Sequence, residues 1–224
     1  MVKNKIAIAL MLTLSILASL LLVGCGERTG EVIKGKDYCV DYIDREVAPE
    51  NAVYVELKVV GYENPIILLL DKSNAMKTVK NFVALVEKGF YNGLTFHRII
   101  ENFMIQGGDA SHLPAEQQPS RITGEFLANG YYNDLEHKRG VISMARATDP
   151  DSASSGFFIC DADSPNLDKQ YAAFGYVIEG LYTVDAIVRD TRKVADKNND
   201  GRIANKSDQP VIEYIKILDS YETK

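Results

Sequence analysis

LTFHRIIENFMIQGGD, residues 94–109, holds a histidine, an arginine, two phenylalanines, a methionine, a glutamine, two glycines and an aspartate. Composition alone admits a bland account of it. Phe96, Ile99 and Ile100 read as core, His97 and Arg98 as a polar pair on the solvent face, and Gly107-Gly108-Asp109 as a turn. The order of the residues argues for more. A permanent cation (Arg98), an apolar pair (Phe103-Met104) and an amide (Gln106) fall within nine residues, a mixture that suits neither a plain core strand nor a plain loop.

Upstream, VYVELKVV (53–60) alternates Val53, Val55, Leu57 and Val59 with Tyr54, Glu56 and Lys58, the period of a half-buried strand. GYENP is a turn and IILLL (66–70) a second, more deeply buried strand, so the two form a hairpin. In NAMKTVKNFVALVEKGFY (74–91) the period changes. Val79, Phe82, Val83 and Val86 share one helix face, with Asn74 as N-cap and Gly89 where a C-terminal glycine belongs. Downstream lie the short apolar runs FMIQ, GVISMARA, GFFIC and YAAFGYVIEG. LYTVDAIVRD (181–190) is a second helix with Leu181, Val184 and Val188 in register, and PVIEYIKIL (210–218) ends the pattern as a strand. Seven or more short strands, two helices and glycine-rich turns predict one antiparallel barrel or sandwich with helices at its ends. About 170 residues, Val53 to Tyr221, suffice for one core.

Phe-His-Arg, then Phe-Met, then Gln-Gly-Gly-Asp at these spacings resembles the cyclophilin family of peptidyl-prolyl isomerases. RGVISMARA (139–147), SASSGFFIC (152–160) and LDKQYAAFG (167–175) resemble further segments of that family, in its order and at its spacing. The resemblance covers roughly Val53 to Tyr221. It implies a mainly β fold, an eight-stranded antiparallel β-barrel closed by two α-helices, over a domain at 53–224. It implies a peptidyl-prolyl cis–trans isomerase that needs no cofactor and takes proline-containing peptides.

The chemistry of such a reaction accounts for the residue types. An X–Pro bond rotates slowly because a barrier of ~18–20 kcal/mol protects the planar amide. No bond to a substrate atom breaks, and no proton need leave. In the twisted amide the prolyl nitrogen regains a lone pair, which a guanidinium can stabilise. The resemblance implies that Arg98 is the catalytic residue, and arginine suits the task through its fixed charge and rigid fork of donors. It implies that Phe103, Met104, Phe158 and Leu167 line a proline pocket, that Gln106 hydrogen-bonds substrate backbone, and that Ala145 lies on the groove floor. His97 and Tyr171 take positions that line the site. His97 is assigned no acid–base role, because the reaction needs none.

Four positions depart from the best-known family pattern. Gly156 stands where a glutamine is usual, Arg146 where eukaryotic members have asparagine, Asn166 where they have tryptophan, and Tyr171 at a histidine position. Gly156 removes a polar side chain from the groove. Asn166 removes an indole donor, which implies weak binding of cyclosporin-type ligands. Another motif, DKNNDGRI (196–203), matches the first half of an EF-hand loop through Asp196, Asn198, Asp200 and Gly201. Its twelfth position is Ser207 rather than a bidentate acid, so a turn without metal is the reading adopted. His112 and His137 sit in no zinc-ligand spacing.

The chain opens with Lys3 and Lys5, then an apolar run from Ile6 to Val23 and then Gly24-Cys25. This has the anatomy of a secretory signal, and its end resembles the lipobox of bacterial lipoproteins. The expectation is a signal peptide at 1–24, lipid on Cys25, and a polar tether over 25–52. The protein would then be extracytoplasmic, held on a bacterial membrane by its lipid, and monomeric. Removing residues 1–24 takes away two positive charges and no negative ones, so formal charge moves from -6 to -8. An acidic protein is a poor partner for nucleic acid. The partners expected are proline-containing peptides and unfolded exported proteins. Cys39 and Cys160 are no disulfide framework, and Cys160 reads as a core residue. A rival function from another class is a proline-peptide binding module or holdase chaperone, with catalysis weak or lost at Gly156.

Overall fold

The structure, a computed structural model, describes residues 46–221. The signal peptide, Cys25, Cys39 and most of the tether lie outside them. Val47 packs against the core, and a turn at Ala48–Asn51 leads into the first strand.

Strand β1 (Ala52–Val59) pairs antiparallel with β2 (Ile66–Asp71), Val55 opposite Leu68. β1 buries alternate residues, Val55, Leu57 and Val59, while every residue of β2 is buried. Helix α1 (Met76–Glu87) follows, then β3 (Phe96–Ile100), β4 (Met104–Gly107), β5 (Val141–Met144), β6 (Phe157–Cys160) and β7 (Ala173–Glu179). Helix α2 (Leu181–Thr191), the two-residue strands β8 (Ala195–Asp196) and β9 (Arg202–Ile203), and β10 (Ile212–Leu218) complete the order.

The strand count corrects the expected eight-stranded closed barrel. Ten strands form one sheet in the order β10-β1-β2-β7-β5-β6-β4-β3-β9-β8, and no ladder closes it. The extra pair comes from DKNNDGRI, which forms the hairpin β8–β9 on the free side of β3. Beyond the named strands, one bridge, Thr95 to Val211, laces the lead-in of β3 to that of β10. The Phe96 N–H donates to Pro210 O at 2.9 Å, but Pro210 has no N–H to return, so pairing stops at a bridge.

Helix α1 ends as its glycine predicts. The Gly89 N–H donates to Val86 O and the Phe90 N–H to Leu85 O, a Schellman closure with Gly89 at φ 64°. Its start corrects the assignment of Asn74 as N-cap. The N-cap is Ala75, which offers no side-chain bond, while Asn74 donates to Asp71 Oδ2 at 2.6 Å. The cap arrives from far along the chain: the buried Glu125 carboxylate accepts the Lys77 N–H at 3.0 Å and the Thr78 N–H at 2.7 Å.

One core lies on the α1 side of β6. Phe82, Tyr91, Phe96 and Phe157 pack there with ring centroids 5.0–5.9 Å apart. A second buried cluster, with Met104, Phe158, Cys160 and Leu167, occupies the other face. Adjacent residues Phe157 and Phe158 therefore serve opposite faces, as strand alternation requires.

Candidate active site

The sheet register aims the site residues. Phe96 pairs with Gly107 and Arg98 with Gln106, so consecutive residues of β4 oppose residues two apart on β3. His97 is the extra residue of a β-bulge. In a regular strand without the bulge, Phe96 and Arg98 would point the same way. With it, Phe96 joins the aromatic core while Arg98 and Ile100 share a face with their partners Gln106 and Met104. Phe158 continues that face beside Gln106. Gly107 and Gly108 are more than the turn they suggest. A Cβ on Gly107 would lie 3.0 Å from the Phe96 ring, and one on Gly108 would lie 2.7 Å from Ser155 O.

Arg98, Phe103, Met104, Gln106, Ala145, Arg146, Phe158, Leu167 and Tyr171 line one pocket of about 140 Å³. Eight of the nine residues expected at the peptide site are among them. His97 is not. Its Nδ1 is buried with no hydrogen-bond partner among the described residues, and burial holds the imidazole below its usual pKa. A larger cavity of about 480 Å³ lies behind the β8–β9 hairpin, between β3 and α2. It shares none of the pocket's lining residues.

The Arg98 guanidinium is held from several sides. Nη1 donates to Gln106 Oε1 at 2.9 Å and approaches Met104 Sδ at 3.9 Å. Nε donates to Asp200 O at 2.9 Å, and Nη2 pairs with Asp200 Oδ2 at 2.8 Å. A flexible cation thereby becomes a fixed one beside an apolar recess, which suits charge that develops only in a transition state.

Periodicity and spacing gave no sign of three further groups. Behind the pocket, His137 Nδ1 lies 2.9 Å from Asp168 Oδ1 and Nε2 lies 3.0 Å from Ser143 Oγ. A carboxylate only accepts, so Nδ1 carries the proton and Nε2 accepts from the Ser143 hydroxyl. Burial lowers the His137 pKa against the pull of Asp168, which agrees with a neutral ring. That ring stacks on Phe158 at 6.0 Å and meets Tyr171 edge-on, so the network buttresses two walls of the pocket. Arg146 lies over the rings of Tyr171 and Phe126 at 4.5 and 5.1 Å, its Nε and Nη2 donating to Gln170 O. Asp200 is the third group.

Cys160 is free and buried, its thiol pushed up to about 12 by burial. Among the described residues no group of three or more His, Cys, Asp or Glu is placed to hold a metal ion. DKNNDGRI is a hairpin there, not a helix-flanked loop.

The family described as cyclophilin type peptidyl-prolyl cis-trans isomerase/CLD matches residues 54–218. The chain belongs to this family. Among curated cyclophilin relatives, peptidyl-prolyl cis-trans isomerase A of Dickeya dadantii is 40% identical over 152 residues, 67% of this chain and 78% of that protein. A Helicobacter pylori peptidyl-prolyl cis-trans isomerase is 42% identical over 124 residues, 54% of this chain and 73% of that one. A crystal structure of a Cryptosporidium parvum cyclophilin matches with TM-score 0.62 and 27% identity, covering 76% of this chain and 99% of that one. It has also been solved in the presence of the dipeptide Ala-Pro. Against the cyclophilin pattern, Gly156 could carry a side chain, since a Cβ there would make only ordinary contacts, with Ala145 Cβ at 3.4 Å and Gly107 O at 3.9 Å. Asn166 is exposed at the turn before Leu167.

Proposed function

We propose that this chain is a lipid-anchored, extracytoplasmic peptidyl-prolyl cis–trans isomerase with Arg98 as its catalytic residue. The isomerase activity follows from membership of the cyclophilin family and from relatives that bear that name. One observation supports the assignment of Arg98: a clamped guanidinium borders a small apolar recess with no general acid or base needed. The pyrrolidine ring enters among Phe103, Met104, Phe158 and Leu167. Gln106 and the floor at Ala145 guide the peptide backbone, and Tyr171 walls the far side. As the amide twists, the prolyl nitrogen becomes pyramidal, and Arg98 stabilises its lone pair more than it stabilises the planar form.

The lipobox-like end of the apolar run supports anchoring through Cys25, and with it a role on exported polypeptides as they fold. The protein works as a monomer, without cofactor. A binding module without turnover is the second reading, favoured by the missing polar side chain at Gly156. An X–Pro exchange assay on wild type and Arg98→Ala separates the two. The expected result is acceleration by wild type and loss of most of it in the variant, about 10²-fold for one preorganised donor. Peptide binding by an inactive wild type would transfer the case to the binding module.

A further inference from the structure

We infer that Asp200 is a positioning residue for isomerisation, fixing the Arg98 guanidinium from the β8–β9 hairpin. The inference rests on the isomerase reading of the pocket.

The motif that resembles half an EF-hand acquires a different use here. Asp196 Oδ1 accepts the Asn198 N–H at 2.9 Å, and the Gly201 N–H donates to Asp196 O at 2.9 Å, so the turn closes on itself. The hairpin then docks on β3. The Ile99 N–H donates to Gly201 O at 2.8 Å, and Arg98 pairs with Arg202. The approach is close: a Cβ on Gly201 would lie 2.4 Å from Ile99 O, and its φ of 71° also calls for glycine. One residue earlier, Asp200 has φ 55° and ψ 38°, a left-handed conformation that aspartate tolerates better than most residues. In that conformation its carbonyl and its carboxylate reach the same guanidinium, at Nε and Nη2. Gln106 takes Nη1 from another side. Together these contacts select one rotamer of a long side chain.

Arg98 is 18% exposed and Asp200 65%. So exposed a pair contributes little to folding stability. Its consequence belongs to the reaction, where a misplaced donor loses much of its effect. Asp200 is also engaged by Arg98 and not presented to a cation.

The test uses the full chain with Asp200→Ala, Asp200→Asn, Asp200→Glu, Arg98→Ala and the double Arg98→Ala/Asp200→Ala. NMR exchange on a short Ala-Pro peptide at several concentrations gives kcat and KM, and thermal unfolding gives Tm. Asp200→Ala should lower kcat about 10-fold, leave KM within about 2-fold and shift Tm by no more than about 2–4 °C. Asp200→Asn should be intermediate, and Asp200→Glu should recover part of the rate. In the Arg98→Ala background the Asp200 change should do nothing further. An Asp200→Ala rate equal to or above wild type overturns the inference, as does an equal loss in both backgrounds, which marks a merely structural role. If wild type is active and Arg98→Ala is not, those outcomes leave the isomerase reading intact. An inactive wild type brings down both.

Discussion

Helix α1 depends on a residue that its own sequence does not contain. Glu125 is 6% exposed, and its carboxylate accepts the N–H groups of Lys77 and Thr78 and the Thr78 hydroxyl at 3.0, 2.7 and 2.8 Å. Ala75 offers no substitute. Glu125→Ala removes all three hydrogen bonds. The Lys77 N–H is partly buried and can find water, but the Thr78 groups are buried and lose their partner. An unsatisfied buried group costs about 1–3 kcal/mol, and loss of a negative charge at a helix N-terminus about 0.3–1 kcal/mol more. With two Thr78 groups affected the sum is about 2–7 kcal/mol, a large part of a stability of about 5–15 kcal/mol. It should lower Tm by about 2–4 °C for each kcal/mol lost. Glu125→Gln keeps the volume and one acceptor oxygen, and should cost about 1–2 kcal/mol. Urea unfolding followed by far-UV circular dichroism reads both as midpoint shifts at unchanged slope. Glu125 does not line the pocket, so kcat/KM well below Tm should stay at the wild-type value. An alanine variant within about 1 kcal/mol of wild type, or equal losses for alanine and glutamine, would refute the distant cap.

Two further outcomes follow from the same geometry. Gly156→Gln should fold normally, because a Cβ there meets only ordinary contacts, and it should lower KM for X–Pro peptides about 3- to 10-fold if its amide gains one hydrogen bond; unchanged KM values would count against a groove weakened there. The imidazoles of His97 and His137 both have folded pKa values below the usual 6.5, chiefly through burial. The unfolded chain then binds protons more readily, so stability should be full above about 6.5 and fall as pH drops through that value toward the folded pKa values. Tm measured from pH 7.5 to 5.5 checks this, since the carboxylates of Glu56 and Asp109, held low, titrate further down; a Tm that rises on acidification would contradict it.

The legible parts of this fold are those where a local period or a local cap decides. β1 alternates, β2 is uniformly apolar, and Gly89 ends α1 through its own backbone. The α1 cap was not legible, because Glu125 lies 47 residues from Thr78 and meets it only after folding. β8 and β9 were not legible either, since two residues hold no period. The pocket residues extend from Arg98 to Tyr171 on several strands and loops, so spacing alone could not assemble them. Their resemblance to a family pattern did. That pattern was silent on Asp200, and a zinc-spacing test passed over His137, whose partners are a serine and an aspartate. His97 was drawn to the pocket by its neighbour, yet it is not among the lining residues, and it sits at an irregularity of pairing that is invisible along one strand.

That irregularity lets the strand carry one residue more than its pairing needs. If Phe96, His97 and Arg98 all paired regularly, Phe96 and Arg98 would share a face, and either Phe96 would swing out of the aromatic core or Arg98 into it. Neither is tolerable, for Arg98 among Phe82, Tyr91 and Phe157 would lose its bonds to Gln106 and Asp200, and Phe96 in solvent would lose its packing on Phe157. Deleting His97 would instead leave Phe96 and Arg98 adjacent and on opposite faces, as they are now, with no extra residue for the bulge to absorb. Substitutions at 97 are a question about imidazole chemistry, but insertions and deletions there are a question about parity.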